Sequence, residues 1–231
     1  LKIGNEVRIK ALKTRSLKEK AYLQLERDIY SGYRRPGERL IEVDLARDLN
    51  VSRAVVREII KQLSLKGLVE IVPYKGASVA RMSIQEIEEV YVIQSALEGL
   101  AVHLAIRKFT KKEIDELEMV HEESKKNMPG DALSWQRLNT RFHRTFLENC
   151  GNTKLLELVE GNNIKFARYW FLILSIPGRI EKSIDEHEKI LMATKRKSPI
   201  SGRYAMERHI RSSTNDLIEF LRKMEPFNLA I

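Results

Sequence analysis

The chain has 231 residues, enough for two domains with buried cores, and its single cysteine, Cys150, excludes an internal disulfide and a cysteine-based zinc ribbon. Its formal net charge of +9 is unevenly placed: residues 1–81 hold 18 Lys and Arg against 10 Asp and Glu, whereas residues 82–231 hold 23 against 22. A polyanionic partner is therefore expected for the front part alone, since neutralising phosphates releases counterions. The most apolar run, residues 169–176, is too short to cross a bilayer, and the N-terminal stretch lacks the apolar core of a signal peptide. A cytoplasmic protein without a membrane partner is expected.

Residues 1–16 are basic and irregular, with Lys2, Arg8, Lys10, Lys13 and Arg15, and read as a loosely ordered arm. From 17 to 30, Ala21, Tyr22, Leu25 and Ile29 recur at helical spacing, and Ser31-Gly32 stops the helix. Arg34-Arg35-Pro36-Gly37 is a turn. Residues 40–49 predict a shorter helix with Ile41, Leu45, Ala46 and Leu49 apolar, and Asn50 stands where a left-handed turn residue is wanted. Ser52 can cap the next helix, whose free backbone N–H groups would also suit a phosphate. On that helix Arg53 and Arg57 share one face, with Lys61 also outward, while Val55, Val56, Ile59, Ile60 and Leu63 fill the other. Residues 68–72 and 77–80 are short, rich in β-branched residues and joined by Pro73-Tyr74-Lys75-Gly76, a two-stranded wing tipped with a cation. An ordinary surface helix with solvated arginines is the competing reading of Arg53 and Arg57, and the helix, turn, helix and wing around them favour a DNA groove.

These residues resemble the winged-helix domain of the GntR superfamily of bacterial transcription regulators. The resemblance rests on Pro36-Gly37-Glu38-Arg39-Leu40, Val51-Ser52-Arg53, Val56-Arg57-Glu58, Gly67-Leu68-Val69 and Lys75-Gly76. It implies Ser52 on phosphate, Arg53 and Arg57 at phosphates or base edges, and Lys75 with Gly76 at the minor groove. Arginine suits guanine, whose two acceptors match its fork. The DNA-binding set is completed by Arg34, Arg35 and Lys61. Relatives often carry Thr-Pro where this chain has Ala54-Val55, which implies a different operator preference.

Arg81-Met82 is a very short linker, and Ser83-Ile84-Gln85-Glu86 is a capping box that opens a second domain. The expected domains are thus 1–16, 17–82 and 83–231. In the last, helical spacing predicts six helices, near 83–108, 110–127, 131–149, 153–175, 179–196 and 199–224, with a turn at Pro129-Gly130. The expected fold is mainly α: an N-terminal winged helix-turn-helix with a small β-wing, followed by an all-α six-helix bundle.

His143, His187 and His209 fall on three of those helices, and Asn139 stands one turn before His143. Three imidazoles and one oxygen donor suit zinc, nickel or a related divalent ion if the helices converge. Packed or solvated histidines are the plainer alternative. His103 and His121 read as surface or packing residues, and Trp135, Phe166, Trp170 and Phe171 as core aromatics.

Residues 83–224 resemble the FCD ligand-binding domain of the FadR subfamily, on Ala96-Leu97-Glu98-Gly99, Phe142-His143-Arg144, Gly151-Asn152 and Glu186-His187-Glu188-Lys189-Ile190. The six-helix count is closer to the VanR-like branch. The resemblance implies Asn139, His143, His187 and His209 as metal ligands. It also implies an acidic effector at the open coordination positions. Two departures stand out. Asn139 replaces a common aspartate, so the site carries one more positive charge and should hold metal more weakly. Gln94 replaces a common arginine expected to help hold the effector, leaving Arg141 or Arg168 as substitutes, with a surface salt bridge as the alternative role of each.

The function read from these features is a transcription regulator, a repressor rather than an enzyme. It binds a palindromic operator as a homodimer, under control of a small organic acid at the metal site. The alternatives are a metal-free dimerisation bundle behind the same DNA-binding half, or a metallohydrolase. The latter lacks the His-Glu-x-x-His motif usual for a metalloprotease.

Overall fold

A computed structural model describes residues 16–126 and 132–228. The arm of residues 1–15 and the Pro129-Gly130 turn lie outside the described residues. The chain divides between Arg81 and Met82 into two compact units, with Ile164–Phe171 grouped with the first.

In the first unit, α1 (Leu17–Tyr30), α2 (Glu42–Asp48) and α3 (Arg53–Leu65) precede the antiparallel strands β1 (Val69–Val72) and β2 (Gly76–Val79). Two of these helix starts, those of α1 and α3, follow local chemistry. Ser16 and Ser52 accept the backbone N–H of Glu19 and Val55, satisfying donors that α1 and α3 would otherwise leave unpaired. Asn50 takes φ 52°, the left-handed turn that reverses the chain between α2 and α3. Leu25, Ile29, Leu45, Val56, Ile59, Leu63 and Leu68 form one buried core. Burying each such side chain contributes about 1.5–3 kcal/mol before entropy is counted.

One expectation changes. The second helix starts at Glu42, because residues 38–40 run extended beside the wing. Leu40 N–H donates to the Ala77 carbonyl, and Val79 N–H donates to that of Glu38. Leu40 is thus buried as an extended residue, while Ile41, expected in the core, is 55% exposed.

The second unit contains α4 (Ile84–Ile106), α5 (Lys111–Lys126), α6 (Ala132–Asn149), α7 (Thr153–Leu174), α8 (Arg179–Lys195) and α9 (Pro199–Asn228). The Ser83–Glu86 capping box is present with both reciprocal bonds. Before α5 the Thr110 N–H and hydroxyl both donate to the Glu113 carboxylate, and the Lys112 N–H donates to the Thr110 hydroxyl. Helices α4 and α9 pack closely because two glycines remove side chains between them. A Cβ on Gly99 would lie 2.7 Å from Glu207 Cγ, and one on Gly202 2.4 Å from Ile106 Cδ1.

The run 169–176 is short, but α4 is a longer apolar helix. Among the described residues it is the helix long and apolar enough to cross a membrane, and half of its apolar window is buried inside the bundle. Its buried face is also polar, carrying Gln94, Ser95 and Glu98. A charged and an amide side chain on that face suit a core helix of a bundle that builds a site.

Candidate nucleic-acid interface and metal centre

Ser52, Arg53, Arg57 and Lys61 are all exposed on α3, and Lys75 and Gly76 are exposed at the wing tip. The two arginines are not simply solvated. Arg57 donates Nε to both carboxylate oxygens of Glu42, at 2.9 and 2.8 Å, and Arg53 Nη2 lies 3.6 Å from the same carboxylate. The hydrogen bond from Arg57 holds the Glu42 carboxyl below the usual carboxylate range. Because Glu42 grips Arg57 through Nε, the contact does not consume the terminal fork that would address a guanine. Arg35 is exposed.

Arg34 is a correction to the DNA-binding set. It is largely covered and ion-paired with Glu38 at 2.8 Å and Asp48 at 3.1 Å. Two internal carboxylates already neutralise its cation, so Arg34 ties the turn to the end of α2.

The bundle centre is built on α4, α6, α8 and α9. His143, His187 and His209 are buried and place ring nitrogens within 4.8 Å of one another. His187 Nε2 and His209 Nε2 are 3.3 Å apart. Asn139, four residues before His143 on α6, is also buried. Phe142 stacks on His187 with ring centroids 4.3 Å apart and planes 9° from parallel, which fixes the ring's orientation.

Two carboxylates orient the other two rings. Glu98 on α4 lies 2.5 Å from His143 Nδ1, and Glu186 on α8 lies 2.7 Å from His209 Nδ1. An ionised carboxylate only accepts, so each Nδ1 donates and each Nε2 keeps its lone pair for the centre. His143 Nε2 is buried with no protein partner among the described residues. A buried lone pair without a donor is costly, and a divalent cation would satisfy it.

The charges suit a cation too. Burial pushes Glu186 upward, but the hydrogen bonds from His209 and Arg179 outweigh it and hold the carboxyl down at about 2. Glu98 shows the same contest, burial against His143, and also ends below the usual range. His187 is pushed well below the ordinary imidazole value by burial and then by His209 and His143. Unprotonated imidazole beside ionised carboxylate is the state that metal binding requires. The donor set therefore fits a divalent ion such as zinc or nickel, with Asn139, His143, His187 and His209 as the residues that could hold it. The expected extra positive charge from Asn139 is met by Glu98 and Glu186, neither of which the ligand spacing alone would single out.

A second layer supports Glu186. Arg179, 2% exposed, pairs with Glu186, donates to Ser183 at 2.8 Å and pairs with Asp216 at 2.9 Å. The chain from Asp216 through Arg179 and Glu186 to His209 links α8 to α9.

Of the residues expected to hold an effector, Gln94 is buried and donates to Glu98 at 2.7 Å and to Asn163 at 3.0 Å. It thus steadies the carboxylate behind His143. Arg141 forms the surface salt bridge that was the alternative to an effector role: it lies half-exposed and pairs with Glu116 at 3.0 Å, since a step of two residues from Asn139 and from His143 turns it to the outside of α6. The side chains of Arg168, Phe166, Trp170 and Phe171 lie outside the described residues. Trp135 is core, as expected. His121 is fully buried and lies 2.6 Å from Glu188, a packing role with a polar partner.

Comparison with known proteins places both halves. Residues 17–79 match the family of bacterial regulatory proteins, gntR family, and residues 89–212 match the FCD domain. The chain is 32% identical over 207 residues to the HTH-type transcriptional regulator YdhC of Bacillus subtilis (strain 168), covering 87% of this chain and 89% of that protein. It is 28% identical over 199 residues to the HTH-type transcriptional repressor GlaR of Escherichia coli (strain K12), covering 82% and 90%. Among solved structures, that of E. coli McbR/YncC shares the fold with a TM-score of 0.72 at 22% identity, covering 89% of this chain and 99% of that one.

Proposed function

The chain belongs to the gntR family of bacterial regulatory proteins and joins that family's helix-turn-helix unit to an FCD domain; from this premise we propose that it is a metal-dependent, ligand-responsive repressor acting as a homodimer on a palindromic operator. That it is a DNA-binding transcription regulator and not an enzyme follows from the family itself. Repressors are present among its relatives.

The observation that carries the metal-dependent reading is the convergence of His143, His187 and His209, with His143 Nε2 buried and without a partner among the described residues. Asn139, His143, His187 and His209 would hold the ion, which supplies a Lewis-acidic point of attachment for a small organic acid. Glu98 and Glu186 keep His143 and His209 in the coordinating tautomer. Occupancy of this centre would bias how α4, α6, α8 and α9 pack. The covalent route to the DNA-reading unit is the joint at Arg81-Met82, and the change in operator affinity cannot exceed the difference in ligand affinity between the two states.

The homodimer is supported by an apolar stripe that α4 leaves in solvent. Val92, Ile93, Ala96 and Leu100 are exposed at spacings of three and four. Two-fold symmetry would match that of a palindrome.

The test is native mass spectrometry with and without chelator, alongside operator binding under the same conditions. The native chain should carry one divalent ion per subunit and lose it on chelation with a change in operator affinity. Glu98→Gln should weaken metal affinity by about 10–100-fold. A metal-free protein, or equal DNA affinity with metal and organic acids present or stripped away, sinks the proposal and leaves a bundle whose role is dimerisation.

A further inference from the structure

The wing tip carries a large side chain that the fold does not use. Val72, Pro73, Tyr74 and Lys75 make a turn closed by Lys75 N–H donating to the Val72 carbonyl at 3.1 Å, and Tyr74, third in the turn, has φ 63°. A positive φ at the third place is the type II arrangement, where glycine or asparagine is favoured. A bulky side chain there crowds its own backbone. Tyr74 is also 108% exposed, so the ring packs against nothing among the described residues. A disfavoured backbone that supports no internal contact points outward, to something the ring meets when the protein is at work.

Resting on the DNA-binding reading above, we propose that Tyr74 is a direct DNA contact that enters the minor groove beside the bases read by α3. Lys75, exposed next to it, faces the phosphates that wall the same groove. The minor groove is about 6 Å wide, which admits a flat ring edge-on between its sugar walls. Apolar wedges from proteins enter this groove in the same way. The phenol O–H is a donor, and A·T and T·A pairs present only acceptors there, whereas G·C adds a donor. Tyr74 therefore adds a preference for A·T pairs flanking the sequence that Arg53 and Arg57 read.

The experiment uses the full chain. Duplexes are enriched from a random library by the native protein, and affinity for the enriched duplex is measured against salt for the native chain, Tyr74→Gly, Tyr74→Phe and Lys75→Ala. Tyr74→Gly should melt at the same temperature as the native chain or higher, because the ring supports nothing and glycine accepts the turn. It should bind about tenfold more weakly, the order that one packed aromatic contact supplies, with an unchanged salt slope. Lys75→Ala should instead reduce the slope by about one. Tyr74→Phe should keep most of the affinity and lose the preference for flanking A·T pairs on reselection. Native affinity and native flanking preference in Tyr74→Gly overturn the inference while leaving the DNA-binding reading intact. A loss of affinity accompanied by a fall in melting temperature also overturns it, by placing Tyr74 in the fold. If the native chain enriches no duplex at all, the DNA-binding reading fails and this inference with it.

Discussion

The two units use charge in opposite ways. On α3 and the wing, Arg53, Arg57, Lys61 and Lys75 stand in water, where their interactions are screened and their strength depends on a partner arriving. In the bundle, Glu98, His143, Arg179, His187 and His209 are buried, and each was desolvated by folding itself. A surface cation is nearly independent of its fold. A buried one needs its counter-charge in place before it can exist, so the bundle's ionisable groups come as a connected set.

That contrast is sharpest at Arg179. Replacing it with methionine leaves Glu186 and Asp216 without their common cation, and the protein should lose about 3–5 kcal/mol of stability in a denaturant titration. A loss within experimental scatter would show that the buried network is as dispensable as a surface pair.

Acidification should act next, and through the bundle. The folded state holds His187 and His209 below the ordinary imidazole value of 6.5, so only the unfolded chain takes up those protons as pH falls through that value. The unfolded state then binds more protons, and stability present above pH 6.5 is lost below it. Glu186 adds a loss of the same sign between its ordinary 4.5 and about 2. The metal-free protein should therefore melt at progressively lower temperature on acidification below about pH 6.5, and a flat profile from pH 7 to 5 would contradict the burial of these rings.

The winged unit should respond in binding instead. Arg57→Ala should weaken operator binding by about tenfold and relax preference at one base pair while leaving the melting temperature nearly unchanged. An equal loss on all duplexes would reassign Arg57 to phosphate. Least affected should be Lys18→Ala: its pair with Glu58 is exposed, and melting should not shift measurably. A clear shift there would mean that the surface charges of this unit carry more of its stability than their exposure allows.

The same difference explains what could be read in advance. Ser52, Asn50, the Ser83–Glu86 box and the helical periodicities act through neighbours three or four residues away, so local sequence carries them. The family motifs added the histidines and Asn139. Glu98 and Glu186 lay inside quoted motifs, yet their task was hidden, since His143 is 45 residues from Glu98 and His209 is 23 from Glu186. Arg34 was misread because a cation in a basic stretch looks available until Glu38 and Asp48 are seen on either side of it. For Arg141 the sequence left a surface salt bridge and an effector role open, and its pair with Glu116 on the outer side of α6 is the former.

By itself the amino-acid order determined the helices and their caps, the wing and the basic bias of the front unit, because each follows from chain-local spacing or from composition. Only the tertiary structure decided which carboxylate stands behind which histidine, which arginines are already neutralised and that Tyr74 touches nothing among the described residues. Those are facts about side chains from distant segments meeting or failing to meet, and water excluded at the meeting point sets their strength.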